Sequence, residues 1–87
     1  GRVIIEDQCD IGALTTINKG VSGDTRIGKG TKVDCHVHIG HGVEIGEDCI
    51  IAGGTGIAGK TIIGNRVLLQ GKSASYMGER SEMMLWY

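Results

Sequence analysis

The chain is predicted to be all-β, a parallel β-helix of about four stacked triangular coils. Three observations carry this: an aliphatic residue returns at every sixth position, a small residue usually follows it, and a compact or β-branched residue stands two places before it. A period of six matches neither the 3.6 of an amphipathic helix nor the unbroken alternation of a long strand. It matches a short strand followed by a corner. Three such units close one coil of about 18 residues, and stacked coils pair at roughly 4.8 Å while burying their aliphatic positions in vertical files. Six-residue repeats of this kind are those of the hexapeptide β-helix.

Taken in order, the aliphatic positions are Ile5, Ile11, Ile17, then Val21, Ile27, Val33, Ile39, Ile45, Ile51, Ile57, Ile63 and Leu69, with a single four-residue step between Ile17 and Val21. The second inward file holds Val3, Cys9, Thr15, Thr25, Thr31, Val37, Val43, Cys49, Thr55, Thr61 and Val67. Glycines following the aliphatic residue, such as Gly12, Gly28, Gly40 and Gly46, are expected at corners where φ turns positive or backbones approach closely. The extra residues within 18–24 predict a corner enlarged into a small polar loop, placed to reach a neighbour or a ligand. Beyond Leu69 the expected aliphatic positions are Ser75 and Ser81, so the β-helix is assigned to 1–71 and a non-repeat tail to 72–87. That tail ends in Met83, Met84, Leu85, Trp86 and Tyr87, an apolar stretch expected to dock on a partner or to be a terminus out of place. Because Arg2-Val3-Ile4 already reads as repeat, the chain is expected to be a piece of a larger architecture.

Composition narrows the function. An 87-residue chain with 16 Gly, no Phe and 3% aromatics must build its core from small aliphatic side chains, and a chain this short is expected to gain stability from a partner. The net charge of -1, with both signs scattered, gives no clustered basic face for nucleic acid. No apolar run approaches the roughly 18 residues of a membrane span. Cys9, Cys35 and Cys49 are odd in number and lack C-x-x-C spacing, which predicts reduced thiols in a cytosolic protein.

The candidate chemistry lies in residues 33–59. His41 stands two places after Ile39, past Gly40, and so at a corner with its side chain outward. An imidazole with a pKa of about 6.5 suits proton abstraction from an attacking amine. One coil of 18 residues on is Gly59, whose backbone N–H is placed to face the same cleft and to stabilise an oxyanion. The same positions also fit an exposed corner histidine and a glycine needed only for the fold. His36 and His38 flank the inward Val37 and are expected to project outward as bystanders. Glu44, Glu47 and Asp48 form an acidic face near His41, one of which is a candidate to orient the imidazole.

The repeat resembles that of the bacterial hexapeptide acyltransferases. Within them, IIED, the GALTTI block, DTRIGKGTK and the IGHG histidine are similar to the UDP-3-O-acylglucosamine N-acyltransferase family of lipid A synthesis, over roughly residues 1–71. The resemblance implies a left-handed β-helix, a homotrimer with active sites between adjacent prisms, and His41 as general base with the Gly59 N–H as oxyanion donor. It implies transfer of a fatty acyl group from the phosphopantetheine of an acyl carrier protein to the 2-amine of UDP-3-O-acylglucosamine, without a cofactor or metal. Alternatives are a CoA-dependent transferase of the same fold and an inactive structural β-helix. The chain departs from the family pattern in having Asn18 for an acidic residue, Cys35 for an Asn near the catalytic histidine, and Gly42 where Asn is frequent. A second family histidine would fall near Gly78. The γ-class carbonic anhydrases, similar in fold, also space two histidines as His36 and His41 are spaced, but draw a third zinc ligand from about two coils earlier, where this chain has none.

Overall fold

Strands of two or three residues, each ended by a tight corner, leave the chain no way to satisfy its backbone except by pairing with the coil above or below. The computed structural model describes residues 1–70 and, beyond them, the backbone of two short strands. The first coil carries β1 (Val3–Ile5), β2 (Asp10–Ile11) and β3 (Thr16–Ile17). The second carries β4 (Thr25–Ile27), β5 (Lys32–Val33) and β6 (His38–Ile39), and the third β7 (Glu44–Ile45), β8 (Ile50–Ile51) and β9 (Gly56–Ile57). The fourth carries β10 (Ile62–Ile63), β11 (Val67–Leu69) and β12 (Ser75–Tyr76), and β13 (Met84–Leu85) follows.

These strands form three parallel faces, β1-β4-β7-β10, β2-β5-β8-β11 and β3-β6-β9-β12, with β13 added antiparallel to β11. The predicted register holds: Ile27 pairs with Ile45, Val33 with Ile51 and Ile39 with Ile57. Between the first two coils Ile5 pairs with Ile27 and Ile17 with Ile39, an offset lengthened by the four extra residues of the loop. On the third face Tyr76 takes the place opposite Ile57, where the six-residue count puts Ser75. The side chains of Met84 and Leu85, together with Gly78, Met83, Trp86 and Tyr87, lie outside the described residues.

The aliphatic files close the interior. Ile27, Val33, Val37, Ile39, Val43, Ile45, Cys49, Ile51, Ile57, Ile63, Val67 and Leu69 are buried, whereas Val3, Ile5 and Ile11 at the end of the stack are partly exposed. Thr25, Thr31, Thr55 and Thr61 share the core without orphaned hydroxyls. Thr31 donates to the Gly46 carbonyl at 2.7 Å and Thr55 to that of Ala52 at 2.7 Å, which removes the cost of burying an unpaired hydroxyl. The three cysteines are free thiols, and burial pushes Cys49 above its ordinary value.

One expectation is corrected and one alternative is decided. Val21 is not a core position: it is 75% exposed, because the chain leaves the prism after Ile17 and re-enters it at β4. The glycines just after the aliphatic residues do not have positive φ; a Cβ on Gly12 or Gly46 would lie within 2.6 Å of the backbone of the coil above, so close approach is what requires them. The left-handed residue comes two places later, at Gly30, Gly42 and Gly54 but equally at Gln8, His36, Asp48 and Lys60. Among the described residues no helix is long and apolar enough to cross a membrane.

Candidate active site

The corner between the third and first faces is shaped by two glycines. Gly40 donates to the Ile57 carbonyl at 2.9 Å, and a Cβ on Gly40 would lie 2.7 Å from the Gly59 nitrogen, so only a residue without one lets the next coil settle so closely. His41 follows, its carbonyl accepting from the Lys60 N–H at 2.8 Å. Gly42 then turns at φ 69° and donates to the buried Thr25 hydroxyl at 2.8 Å. Main chain on both sides of His41 is therefore pinned, and the half-buried imidazole lies across Gly59. A Cβ on Gly59 would meet the ring, 2.7 Å from Nδ1 and 2.9 Å from Nε2.

At the equivalent place in two other corners the backbone N–H is taken by a side chain: Cys35 donates to Asp34 Oδ1 at 2.7 Å and Glu47 to Asn65 Oδ1 at 2.8 Å. Among the described residues no acceptor takes the Gly59 N–H, and no side chain hydrogen-bonds the His41 ring. The arrangement thus holds an imidazole directly beside a backbone donor that no described residue takes.

Beside this corner the 18–24 loop folds against the prism and bounds a cleft of about 360 Å³. Val21 and Ser22 form the loop wall, and Gly42, Glu44, Lys60 and Ile62 form the opposite one. His41 is adjacent to this cleft through Gly42 rather than lining it. The base of the loop is tied to the first coil by Arg2, whose guanidinium meets Asp24 Oδ2 at 3.1 Å and whose N–H donates to Oδ1 at 3.1 Å. Hydrogen bonding to Arg2 holds the Asp24 carboxyl below its usual range and raises Arg2 in return.

The remaining sequence candidates separate. His36 sits exposed at the β5–β6 corner in left-handed conformation (φ 58°), and His38 lies on the third face, its Nδ1 2.8 Å from Thr16 Oγ1. Among the described residues no three His, Cys, Asp or Glu side chains gather as a metal group. Of the acidic residues, Glu44 faces the cleft, whereas Glu47 and Asp48 belong to the β7–β8 corner, with Asn65 and Gly30. Cys35 occupies the β5–β6 corner, where its carbonyl accepts from Gly54 at 3.2 Å. Asn18 donates to the Ile39 carbonyl at 3.0 Å and so stands beneath Gly40, at the foot of the His41 corner. Lys60 and Thr25 were missed as site residues; Lys60 stands one 18-residue coil from Gly42, and Thr25 stands at the inward position one coil before Val43, where its hydroxyl accepts from the Gly42 N–H.

The comparisons with known proteins agree with this architecture. The family model described as Bacterial transferase hexapeptide (six repeats) matches residues 24–59. Relatives named UDP-3-O-acylglucosamine N-acyltransferase include that of Methylococcus capsulatus, 49% identical over 86% of this chain and 21% of the relative. That of Methylorubrum extorquens is 51% identical over 83% of this chain and 20% of the relative, and that of Campylobacter lari is 47% identical over 86% and 24%. The chain spans about a fifth of the length of the curated relatives it matches. No solved structure matches it significantly. With its register and its close-packed glycine corners, the chain is similar over residues 24–59 to the bacterial hexapeptide transferases, and over most of its length to one β-helical stretch of proteins named UDP-3-O-acylglucosamine N-acyltransferase.

Proposed function

We propose that this chain is the β-helical catalytic part of an N-acyltransferase that moves a fatty acyl group from an acyl carrier protein thioester to the 2-amine of UDP-3-O-acylglucosamine. The observation that carries the reading is the His41 imidazole lying across Gly59, whose N–H no described residue takes. In the forward step the amine nitrogen attacks the thioester carbonyl carbon while a His41 ring nitrogen takes the amine proton. The negative charge gathers on the former carbonyl oxygen, which accepts from the Gly59 N–H. Collapse breaks the carbon–sulfur bond, and the departing thiolate takes the proton from the imidazolium, so the products are an amide and a free thiol. No covalent enzyme intermediate is needed.

In this reading three prisms assemble around a three-fold axis with a site between neighbours, an arrangement favoured by the short chain and by closed cyclic symmetry. The enzyme works in the cytoplasm, where acyl carrier protein and nucleotide sugar meet. Turnover assays on the purified protein with the acyl carrier protein thioester and the nucleotide sugar test the reaction. His41→Ala is expected to lower kcat by about 10² to 10⁴-fold with the circular dichroism spectrum unchanged. Near-normal turnover in that variant overturns the assignment. Turnover with CoA thioesters alone identifies a different donor, and none with any thioester identifies a structural β-helix.

A further inference from the structure

The cleft beside His41 holds a cation that the proposed reaction leaves without a role. Lys60 follows Gly59 directly, and its N–H bond to the His41 carbonyl at 2.8 Å fixes its backbone to the residue that carries the imidazole. Its side chain runs along Gly42, where a Cβ would come 3.4 Å from Lys60 Cγ, and it lines the cleft with Ser22, Asp24 and Glu44. Two of the nearby charges are paired. Asp24 is bound by Arg2 at 3.1 Å, and Arg26, which neighbours Glu44 on the first face, is bound by Glu6 at 2.8 Å. Among the described residues no carboxylate is salt-bridged to Lys60. Its left-handed φ of 66° carries no functional meaning, since Gln8, Asp48 and Arg66 share that conformation at other corners.

The cleft therefore offers an ammonium and a serine hydroxyl, with the Glu44 carboxylate, also outside any salt bridge among the described residues, on the same lining, and is flanked by the exposed apolar side chains of Val21 and Ile62. That set suits a phosphate group attached to a partly apolar molecule, for which a lysine acts as a compact point charge. We propose that Lys60 is a specificity-determining residue whose ammonium holds a phosphate, either of the nucleotide sugar or of the donor's phosphopantetheine arm, so that the reacting group reaches His41. This deepens the proposed function and rests on it for the part Lys60 plays in turnover, while anion binding in the cleft stands on the cleft alone.

The test uses Lys60→Gly, which keeps the left-handed corner without strain and so does not risk the fold. Inorganic pyrophosphate, UDP and 4′-phosphopantetheine are titrated separately onto the purified protein and its variants by calorimetry. Lys60→Gly is expected to weaken pyrophosphate binding on the order of ten-fold, the size of a lost charge-assisted hydrogen bond. Lys60→Arg retains most of it, and Glu44→Gln tightens it by removing a nearby negative charge. Weakened UDP binding assigns the phosphate to the nucleotide sugar, and weakened phosphopantetheine binding assigns it to the donor. In turnover, Lys60→Gly then raises KM for that same substrate more than it lowers kcat. Pyrophosphate binding that is absent, or unchanged in Lys60→Gly, overturns the proposal. Lys60-dependent binding without acyl transfer would sink the proposed reaction and keep the anion site; His41-dependent turnover with Lys60-independent binding does the reverse.

Discussion

The corner at Asp34–Cys35 and the corner at Gly40–His41 follow the same six-residue plan and serve opposite ends. In the first, Asp34 Oδ1 takes the Cys35 N–H at 2.7 Å and the Cys35 carbonyl accepts from Gly54 at 3.2 Å, so the corner satisfies itself. In the second, no described side chain takes the Gly59 N–H, and a histidine ring lies across the glycine. The fold asks only for the inward residues and for a backbone that can turn. Which side chain stands outside decides whether the corner's spare donor is closed off or left for a ligand.

The largest effect is expected where both corners depend on the same core. Ile39 is fully buried, and Ile39→Ala should cost about 2–5 kcal/mol through lost burial and a residual cavity. Denaturant titration would show it; a cost under 1 kcal/mol would mean that the stacked files do not hold the corners. Gly59→Ala separates the corners next. Its methyl would press on the imidazole, so turnover should fall about 10²-fold from misplacement alone while the denaturation midpoint moves far less than in Ile39→Ala. Retained activity would break the link between ring position and function. Asp34→Ala is the converse change. Removing the acceptor from Cys35 should cost about 1 kcal/mol of stability and leave kcat as it was; a comparable loss of turnover would mean that the closed corner also touches the reaction.

The smallest effect concerns the tie beneath the cleft. Hydrogen bonding to Arg2 lowers the Asp24 pKa from its ordinary 3.8, so the ionised carboxylate is favoured in the folded chain. The contribution is full above that ordinary value and fades as the pH falls through the lower folded one. Amide exchange in residues 18–24 should therefore rise selectively below about pH 4, and also in molar salt, because the pair is exposed and screened. Equal exchange at pH 3 and pH 6, corrected for intrinsic rates, would show that Arg2 does not anchor the loop.

Much of this was legible in the residues. A six-residue period repeated along the chain leaves one way to bury its aliphatic positions, and Ile27, Ile45 and Ile63 fall in one file as counted. Val21 kept the period on paper yet stands in solvent, because a count cannot tell a continued prism from a loop that leaves it.

What the sequence determined by itself was the set of relations that repeat every 18 residues. The meeting of His41 with Gly59 is one of them, since stacking makes any two residues one coil apart neighbours. The cleft and the place of Lys60 within it were decided only by tertiary structure. They depend on how the 18–24 loop packs against residues 42–62, a contact between segments that share no register and so leave no period to read.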